Sequence, residues 1–596
     1  MTTTTAPTTV ASSTFDLRRV LRVGALAGLI MVFVSAIGML AAFNGRLIIS
    51  PILSLGYALL FAIPVVAGWM FTRRKHIEGI ETAPRTGADV MAGLMAGLIA
   101  GGILALFAVI VDAFPGMRSV FPKLSPVLVQ LLTLDQGLGT GAVLVVVGAG
   151  VAGLVGSSLG MMPDRIRKAL LIGFETLVIL AVFQAVIDDL FDWFETIPDF
   201  LYASRGGLSV TAAIVVFVAA VALGLYLPGR VKGVREMVAD PDPKRQTRKS
   251  LILAGIVFLI VLILPQFLGG IINELLTNVG LFLLMALGLN IVVGSAGLLD
   301  LGYVAFFAVG AYTTAVLTSP LSPAFNPELS WWLAFPVVLI AAAIAGLLVG
   351  TPVLRMRGDY LAIVTLGFGE IVRLVLLSDW LSPYFGGAQG IRRIPGIPLP
   401  GEDNFINATT PDLFIYAILF FVAVSAYISW RLQDSRVGRA WAAMREDEDV
   451  AEAVGVDTVR AKLLAFVTGA VLASFAGALF SAKVGSVFTN SFEIIVSIII
   501  LVIVIVGGMG SIAGVAVGAL LLIGVLGGPN QPGLLQEFGE FKLLIYGALL
   551  VFMMLNKPEG LIPSARRAQE LHQEEFLQDA WLDKGSESAE TEKEKV

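Results

Sequence analysis

The stretch that decides how this chain is read is Leu287-Gly288-Leu289-Asn290-Ile291-Val292-Val293-Gly294-Ser295-Ala296-Gly297-Leu298-Leu299-Asp300-Leu301-Gly302-Tyr303. It is apolar enough for a helix in hydrocarbon, yet Gly294, Gly297 and Gly302 interrupt it, and Asn290 and Asp300 stand beside the breaks. Backbone opened by such a break must be satisfied by other protein or by a water-lined path, because hydrocarbon offers no hydrogen bonds. A second interruption, Gly507-Gly508-Met509-Gly510, is followed by Gly514 and Gly518. Two glycine-broken apolar stretches in one helical block are the pattern of discontinuous helices around a central path. Glycine-rich connections between ordinary helices give the same pattern, and both readings stay open here.

Working outward, the whole chain suits a membrane. Its 596 residues are 57% apolar and 14% charged, with a mean hydropathy of +0.88, where soluble domains carry about 25% charge. The expected fold class is all-α, a polytopic integral membrane helical bundle with discontinuous, glycine-broken helices. A crossing needs about 20 apolar residues. Apolar segments fall near 24–43, 52–71, 89–111, 138–160, 168–188 and 208–227, and again near 251–268, 279–293, 303–318, 331–350, 360–378, 412–430, 461–482, 492–507, 511–527 and 539–556. If all are complete they make sixteen crossings; 279–293, 360–378 and 492–507 are short or broken and open to a re-entrant reading.

Basic clusters recur after every second segment: Arg18, Arg19 and Arg22; Arg73, Arg74 and Lys75; Arg165, Arg167 and Lys168; and Arg230 to Lys249. Arg355 and Arg357, the 431–462 loop, and Lys557 with Arg566 and Arg567 keep the same parity. The excess of Lys and Arg marks that side, and with it both termini, as cytoplasmic. On the opposite side Asp188, Asp189, Asp192, Glu195 and Asp199 surround Trp193 and Phe194, which suits a short interfacial helix. Five regions follow: a disordered start (1–17), a six-helix membrane extension of unassigned role (18–228), a charged cytoplasmic linker (229–250), a larger membrane core (251–563) and an acidic cytoplasmic tail (564–596).

Several chemistries are excluded. The chain has no cysteine, and His76 and His572 are its only histidines. Disulfides, thiolate zinc sites, histidine-based metalloproteases and hydrolytic triads therefore have no ligands or bases here. With 45 acidic against 40 basic residues, no surface is basic enough to track nucleic acid. No GxxxxGK[ST] phosphate loop occurs. The expectation is a chain with no catalytic residue, no metal site and no bound cofactor.

Three further stretches carry polar residues where function is expected. In Thr365-Leu366-Gly367-Phe368-Gly369-Glu370-Ile371-Val372-Arg373, Glu370 and Arg373 share a helix face. Charge at membrane depth marks a functional site by default, although a pair that merely joins helices fits as well. The pair is expected in the interior, with Leu376 facing lipid. Gly386-Gly387-Ala388-Gln389-Gly390-Ile391 lies in a long outer loop, functional or simply surface. The sharpest signal is LQDSRVGRAWAAMREDEDVAEAVGVDTVRAK from Leu432 to Lys462. Ser435 or Gly438 can start a helix, Ala440, Trp441, Ala443 and Met444 supply an apolar side, and Gly455 ends it as a C-cap. Such a helix either lies on lipid or enters a groove on a soluble partner. The acidic run 446–449 opposes anionic lipid and favours the partner.

At these residues the chain resembles the permease subunits of ABC importers for branched-chain amino acids, the type paired with a second, related permease. The resemblance rests on LGLNIVVGSAGLLDLGYVAFFAVGAY at 287–312, PVLRMRGDYLAIVTLGFGEIVRL at 352–374, GGAQGI at 386–391, SRVGRAWAAMREDEDVAEAVGVD at 435–457 and VGGMGSIAGVAVGA at 506–519. It implies a bacterial cytoplasmic (inner) membrane protein with no ATPase site of its own. Its implied partners are a second permease, two cytoplasmic ABC ATPase subunits that hold ATP and Mg, and an extracytoplasmic substrate-binding protein.

The resemblance also implies roles. Residues 438–455 become a coupling helix to the ATPase, with Gly438, Arg439, Ala440, Ala443, Met444, Arg445, Glu446, Glu452 and Gly455 as its contacts. Asn290, Gly294, Gly297, Asp300, Gly302, Thr365, Gly367, Gly369, Glu370, Arg373, Gly508 and Gly510 become the translocation path and its helix breaks. Gly386, Gly387, Gln389 and Gly390 form the outer loop, where the family usually has Gly-Pro-Asn-Gly and this chain loses the rigidity of proline. The implied function is import of leucine, isoleucine, valine or related neutral amino acids by alternating access. Urea or other small polar solutes, an ion-gradient-driven transporter and a scaffold without transport remain the alternatives.

Overall fold

A computed structural model describes residues 16–72, 87–190, 196–226 and 262–564, apart from 324, 354, 355, 357, 399–404, 408, 530, 532 and 536–538. Residues 1–15, the Arg73–Lys75 cluster, Trp193 with Phe194, the linker 229–250, the start of the 251–268 segment, Arg355, Arg357 and the tail beyond Ser564 lie outside the described residues. The chain divides into two compact units, Met1–Leu253 and Ala254–Val596.

The first unit contains α1 (Leu17–Ala36), α2 (Leu55–Thr72), α3 (Gly87–Ala113), α4 (Leu138–Met161), α5 (Asp164–Val182) and α6 (Val210–Tyr226). Helix α1 starts earlier than its apolar run because Asp16 caps it, accepting from the backbone amides of Arg18 and Arg19. Helices α3 and α4 pack through small residues. A Cβ on Gly97 would stand 2.2 Å from the carbonyl oxygen of Ala149, and one on Gly153 2.2 Å from that of Gly93. Such backbone-to-backbone approach is how helices associate in a solvent as apolar as their side chains.

The second unit contains α7 (Gly270–Leu289), continued by a π-turn at Asn290–Ser295; α8 (Val304–Thr318); α9 (Trp331–Val353); α10 (Asp359–Leu377); α11 (Pro411–Gln433); α12 (Arg436–Glu446); α13 (Glu448–Ala453); α14 (Thr458–Val484); α15 (Ile494–Gly507); α16 (Ile512–Ala519), continued by a π-turn at Leu520–Leu526; and α17 (Lys542–Asn556). Helix α14 is the hub and packs against α7, α8, α9, α11 and α12. Strands among the described residues of this unit are minor: Ile391–Arg392 pairs with Ser486–Val487, and Ile397–Pro398 with Phe405–Ile406.

The packing shows which solvent the bundle expects. Helix α9 turns Ala334, Val338 and Ala342 inward and leaves Leu333, Ile340, Ile344 and Leu348 exposed. A helix whose outer face is as apolar as its inner one faces lipid, not water. Among the described residues ten helices are long and apolar enough to cross a membrane, and four shorter apolar helices, Val210–Tyr226, Val304–Thr318, Ile512–Leu526 and Lys542–Asn556, accompany them. Helix α5 covers another expected segment but carries Asp164, Arg165, Arg167, Lys168 and Glu175. Segment 251–268 falls mostly outside the described residues.

One expected element is longer than its sequence suggested. The segment read as 279–293 begins at Gly270, because Asn273, Glu274, Thr277 and Asn278 belong to its helix. Asn273, Thr277 and Asn278 are buried in protein and not set in a loop, so hydropathy alone cut the helix short.

Candidate functional site

The two glycine-broken stretches meet. The side-chain oxygen of buried Asn290, in the π-turn that ends α7, accepts a hydrogen bond from the backbone amide of Gly510 at 2.8 Å. Gly294 leaves room for this approach: a Cβ there would lie 2.3 Å from Asn290 Oδ1 and 2.5 Å from the Gly510 nitrogen. Gly510 has a φ of +79°, a conformation only glycine adopts at low cost. The Gly510 amide, orphaned at the second break, thus finds its acceptor at the first.

Beyond the π-turn the chain runs irregularly to α8 and is fastened at each step. Gly302 donates its amide to Asp300 Oδ1 at 2.9 Å, and Leu301 donates its amide to Thr365 Oγ1 on α10 at 3.0 Å. Tyr303 donates its hydroxyl to the carbonyl of Gly469 on α14 at 2.7 Å, and Ser497 Oγ on α15 accepts from the amide of Val304 at 2.8 Å. Gly302 lies directly on α10: its Cβ would stand 1.9 Å from the carbonyl oxygen of Thr365, and the backbone of Gly369 is its other neighbour. Gly367, on another side of α10, would meet nothing within 4 Å. Thr365 and Gly369 therefore join the break and Gly367 does not.

The expected interior ion pair is corrected in part. Arg373 Nη2 and Glu370 Oε1 are paired within hydrogen-bond distance, but the side chains stay 22% and 36% exposed. The pair sits near the end of α10 as a local i, i+3 contact, and Arg373 is also near Glu493. Leu376, expected to face lipid, is only 9% exposed. It shares the inner stripe of α10 with Leu361, Thr365 and Gly369.

The stretch 438–455, read as one helix, is two. Ser435 caps α12 by accepting from the amide of Gly438 at 3.1 Å. Asp447 then takes an extended conformation and its carboxylate caps α13, accepting from Asp449 and Val450. Gly455 ends α13 at φ +91°. The apolar side of α12 does not await a partner. Trp441 is fully buried and donates to the carbonyl of Ala461 at 2.7 Å; Met444 and Gly438 are buried too, while Ala440 and Ala443 are half-buried. What the outer side offers is Arg439, Glu446, Glu452 and Gly455, with Val450 58% and Val454 74% exposed.

Arg445, expected among the ATPase contacts, instead turns inward and makes a link the sequence did not reveal. Its Nη1 donates to the carbonyl of Gly294 at 2.7 Å, so α12 is tied to the helix break itself. Exposed Gly297, at φ +73°, passes close to the aliphatic stem of Arg445. Gly294, Gln433, Gly438, Arg445, Gly510 and Ser564 are among the residues lining a cavity of about 180 Å³ at this junction. Lys462, buried at the start of α14, pairs with Glu448 at the start of α13 at 2.6 Å and fixes the joint between the two helices.

The outer loop is firmer than its missing proline implied. Gly386, Gly387 and Gly390 all have positive φ, and Ile391 and Arg392 pair with Val487 and Ser486. Gln389 is exposed in the short 3-10 turn Gly387–Gln389. Gly508, with φ +128°, is buried where a Cβ would meet the backbone of Ile562. No cluster of three or more His, Cys, Asp or Glu side chains placed to hold a metal ion occurs among the described residues.

Comparison with known proteins covers this same unit. Residues 271–554 match the profile of the family described as branched-chain amino acid transport system / permease component. The high-affinity branched-chain amino acid transport system permease protein LivM of Escherichia coli is 40% identical over 312 residues, 49% of this chain and 70% of that protein. LivH of Escherichia coli, the permease protein of the same description, is 25% identical over 296 residues, 47% of this chain and 91% of that protein. BraD of Pseudomonas aeruginosa, again a high-affinity branched-chain amino acid permease protein, is 23% identical over 299 residues, 47% of this chain and 91% of that protein. No solved structure matches.

Proposed function

The chain belongs to the branched-chain amino acid transport permease family, and from that premise we propose that it is the membrane-spanning subunit of an ATP-driven importer for leucine, isoleucine, valine or related neutral amino acids. The observation that carries the mechanism is the junction at Gly294. The carbonyl there accepts from Arg445 of α12, while Asn290, one turn earlier, accepts from Gly510 at the second break. A push on α12 and α13 from outside the bilayer is delivered to both breaks at once. Glycine-broken helices have two packings of similar energy more readily than continuous ones, so the breaks are where the bundle alternates between its two open sides.

ATP closes a pair of cytoplasmic ATPase subunits, one of which docks on the outer side of α12 and α13. A second permease completes the path, and a soluble binding protein delivers substrate at the opposite face. This chain contributes no covalent chemistry. Residues 18–228 lie outside the matched region. In proteoliposomes holding the permeases, the ATPases and the binding protein, leucine accumulates only with ATP. Leucine uptake by the permeases alone, driven by a proton gradient, overturns the reading in favour of an ion-coupled transporter.

A further inference from the structure

A second cavity, of about 240 Å³, opens in the second unit beside the exposed Val484. Its wall includes Phe282 and Met285 from α7, Phe307 from α8, Phe480 from α14, Val496 from α15 and Gln531 from the segment after α16. Helices α7, α8, α14 and α15, which pack round the first glycine break, thus all contribute. The wall is aromatic and aliphatic, and it is too small for a drug-sized ligand, for which pockets begin near 300 Å³. One buried polar atom in it, Gln531 Oε1, has no hydrogen-bond partner among the described residues. A buried amide oxygen left unpaired is costly, and a donor on a ligand relieves that cost.

A charged cluster adjoins the cavity. Lys483, buried near the end of α14 beside the lining residue Val484, bonds to Glu274 Oε1 at 2.7 Å and to Asn278 Oδ1. Glu274, Asn278, Phe282 and Met285 follow one another at three- and four-residue steps, so one stripe of α7 carries first the polar cluster and then the apolar wall. Glu274 is the exposed end of the cluster and Lys483 the buried end. A zwitterion with a short aliphatic side chain offers complementary groups: an ammonium for Glu274, a carboxylate for Lys483 and an apolar branch for the wall. The floor of the cavity is held in place from behind. Lys542 donates to the carbonyls of Gly528 and Pro529 at 2.6 Å each, and Tyr546 donates to that of Gly527.

The geometry points to this cavity as a transient binding site for the branched aliphatic side chain of the transported amino acid, with Gln531 and the Lys483–Glu274–Asn278 cluster receiving its polar head. This rests on the importer reading above and adds to it a location and a size limit. It also assigns a role to polar residues of α7 that hydropathy had left outside the helix.

The test uses the complete transporter in proteoliposomes. Met285→Phe adds volume to the wall, and a single methylene in a tight apolar site already changes discrimination about tenfold or more. Leucine uptake is expected to fall at least about tenfold while valine uptake falls less than about threefold, at equal membrane abundance. Since the chain has no cysteine, Val496→Cys gives one thiol in this subunit. During ATP-driven turnover its reaction with N-ethylmaleimide is expected to be slowed by leucine, whereas Ser330→Cys, on an exposed position in the loop before α9, is labelled equally with and without leucine. An unchanged leucine-to-valine ratio, no protection, or no labelling of Val496→Cys during turnover overturns the site while wild-type, ATP-dependent leucine uptake leaves the importer reading standing. Absence of that wild-type uptake overturns the importer reading instead.

Discussion

Replacing Gly302 with alanine tests the packing of the helix break most sharply. The added Cβ would lie 1.9 Å from the carbonyl oxygen of Thr365, where ordinary contact begins at 3.4 Å, so about 1.5 Å must open between the break and α10. The obstacle is backbone and cannot swing aside as a side chain would. Overpacking of this kind costs about 1–3 kcal/mol. The same opening stretches the 3.0 Å bond from the Leu301 amide to Thr365 Oγ1, which removes about 1 kcal/mol more. Together the loss is about 2–4 kcal/mol, enough for more than a tenfold fall in the properly packed population. Gly367→Ala is the control on the same helix, since its Cβ meets nothing and alanine is favoured over glycine in a helix by about 1 kcal/mol. Leucine uptake per unit of membrane protein, with thermal unfolding of the purified subunit, reads both. Gly302→Ala should lower both and Gly367→Ala neither. Equal behaviour of the two variants refutes the packing described for the break.

Three other outcomes follow from the geometry. Asn290→Ala leaves the Gly510 amide without its acceptor and should lower stability by about 1–3 kcal/mol, measured by thermal unfolding. Glu448→Ala strands the buried charge of Lys462 and should cost about 3–5 kcal/mol, whereas the double variant with Lys462→Met should recover much of the loss, because a charge pair removed as a unit leaves nothing unpaired. Arg445→Met removes a charged hydrogen bond worth about 1.5–3 kcal/mol. It should leave the ATPases bound but reduce leucine moved per ATP hydrolysed, assayed by measuring both fluxes in one vesicle preparation.

Most of the helical layout is legible in the sequence because apolar length dictates it. The glycine breaks are legible too, since Gly294, Gly302 and Gly510 sit where side chains would collide or strain. What the sequence hides is direction. Trp441 and Met444 form an apolar face that periodicity finds, but only packing shows that it turns into this chain and leaves Val450 and Val454 outside. Asp447 reads as one more acid in a charged run, yet its carboxylate caps α13 and divides the element. Glu370 and Arg373 were expected in the interior because charge is costly in hydrocarbon; pairing within one helix reduces that cost at the surface. Lys483, Glu274 and Asn278 escaped notice because hydropathy assigned Glu274 and Asn278 to a loop and their partner lies on a helix distant in sequence.

The proposed coupling depends most directly on an ATPase docking at the α12–α13 element. Val454, 74% exposed, is the most exposed large apolar residue at the α12–α13 element, so Val454→Glu should change the stability of the subunit itself by no more than about 0.5 kcal/mol. An unpaired charge buried at an interface costs several kcal/mol. Membrane abundance, co-purified ATPase and ATP-driven leucine uptake are measured in the same cells. Normal abundance with lost ATPase and lost uptake is the predicted result; full ATPase retention with undiminished uptake contradicts it.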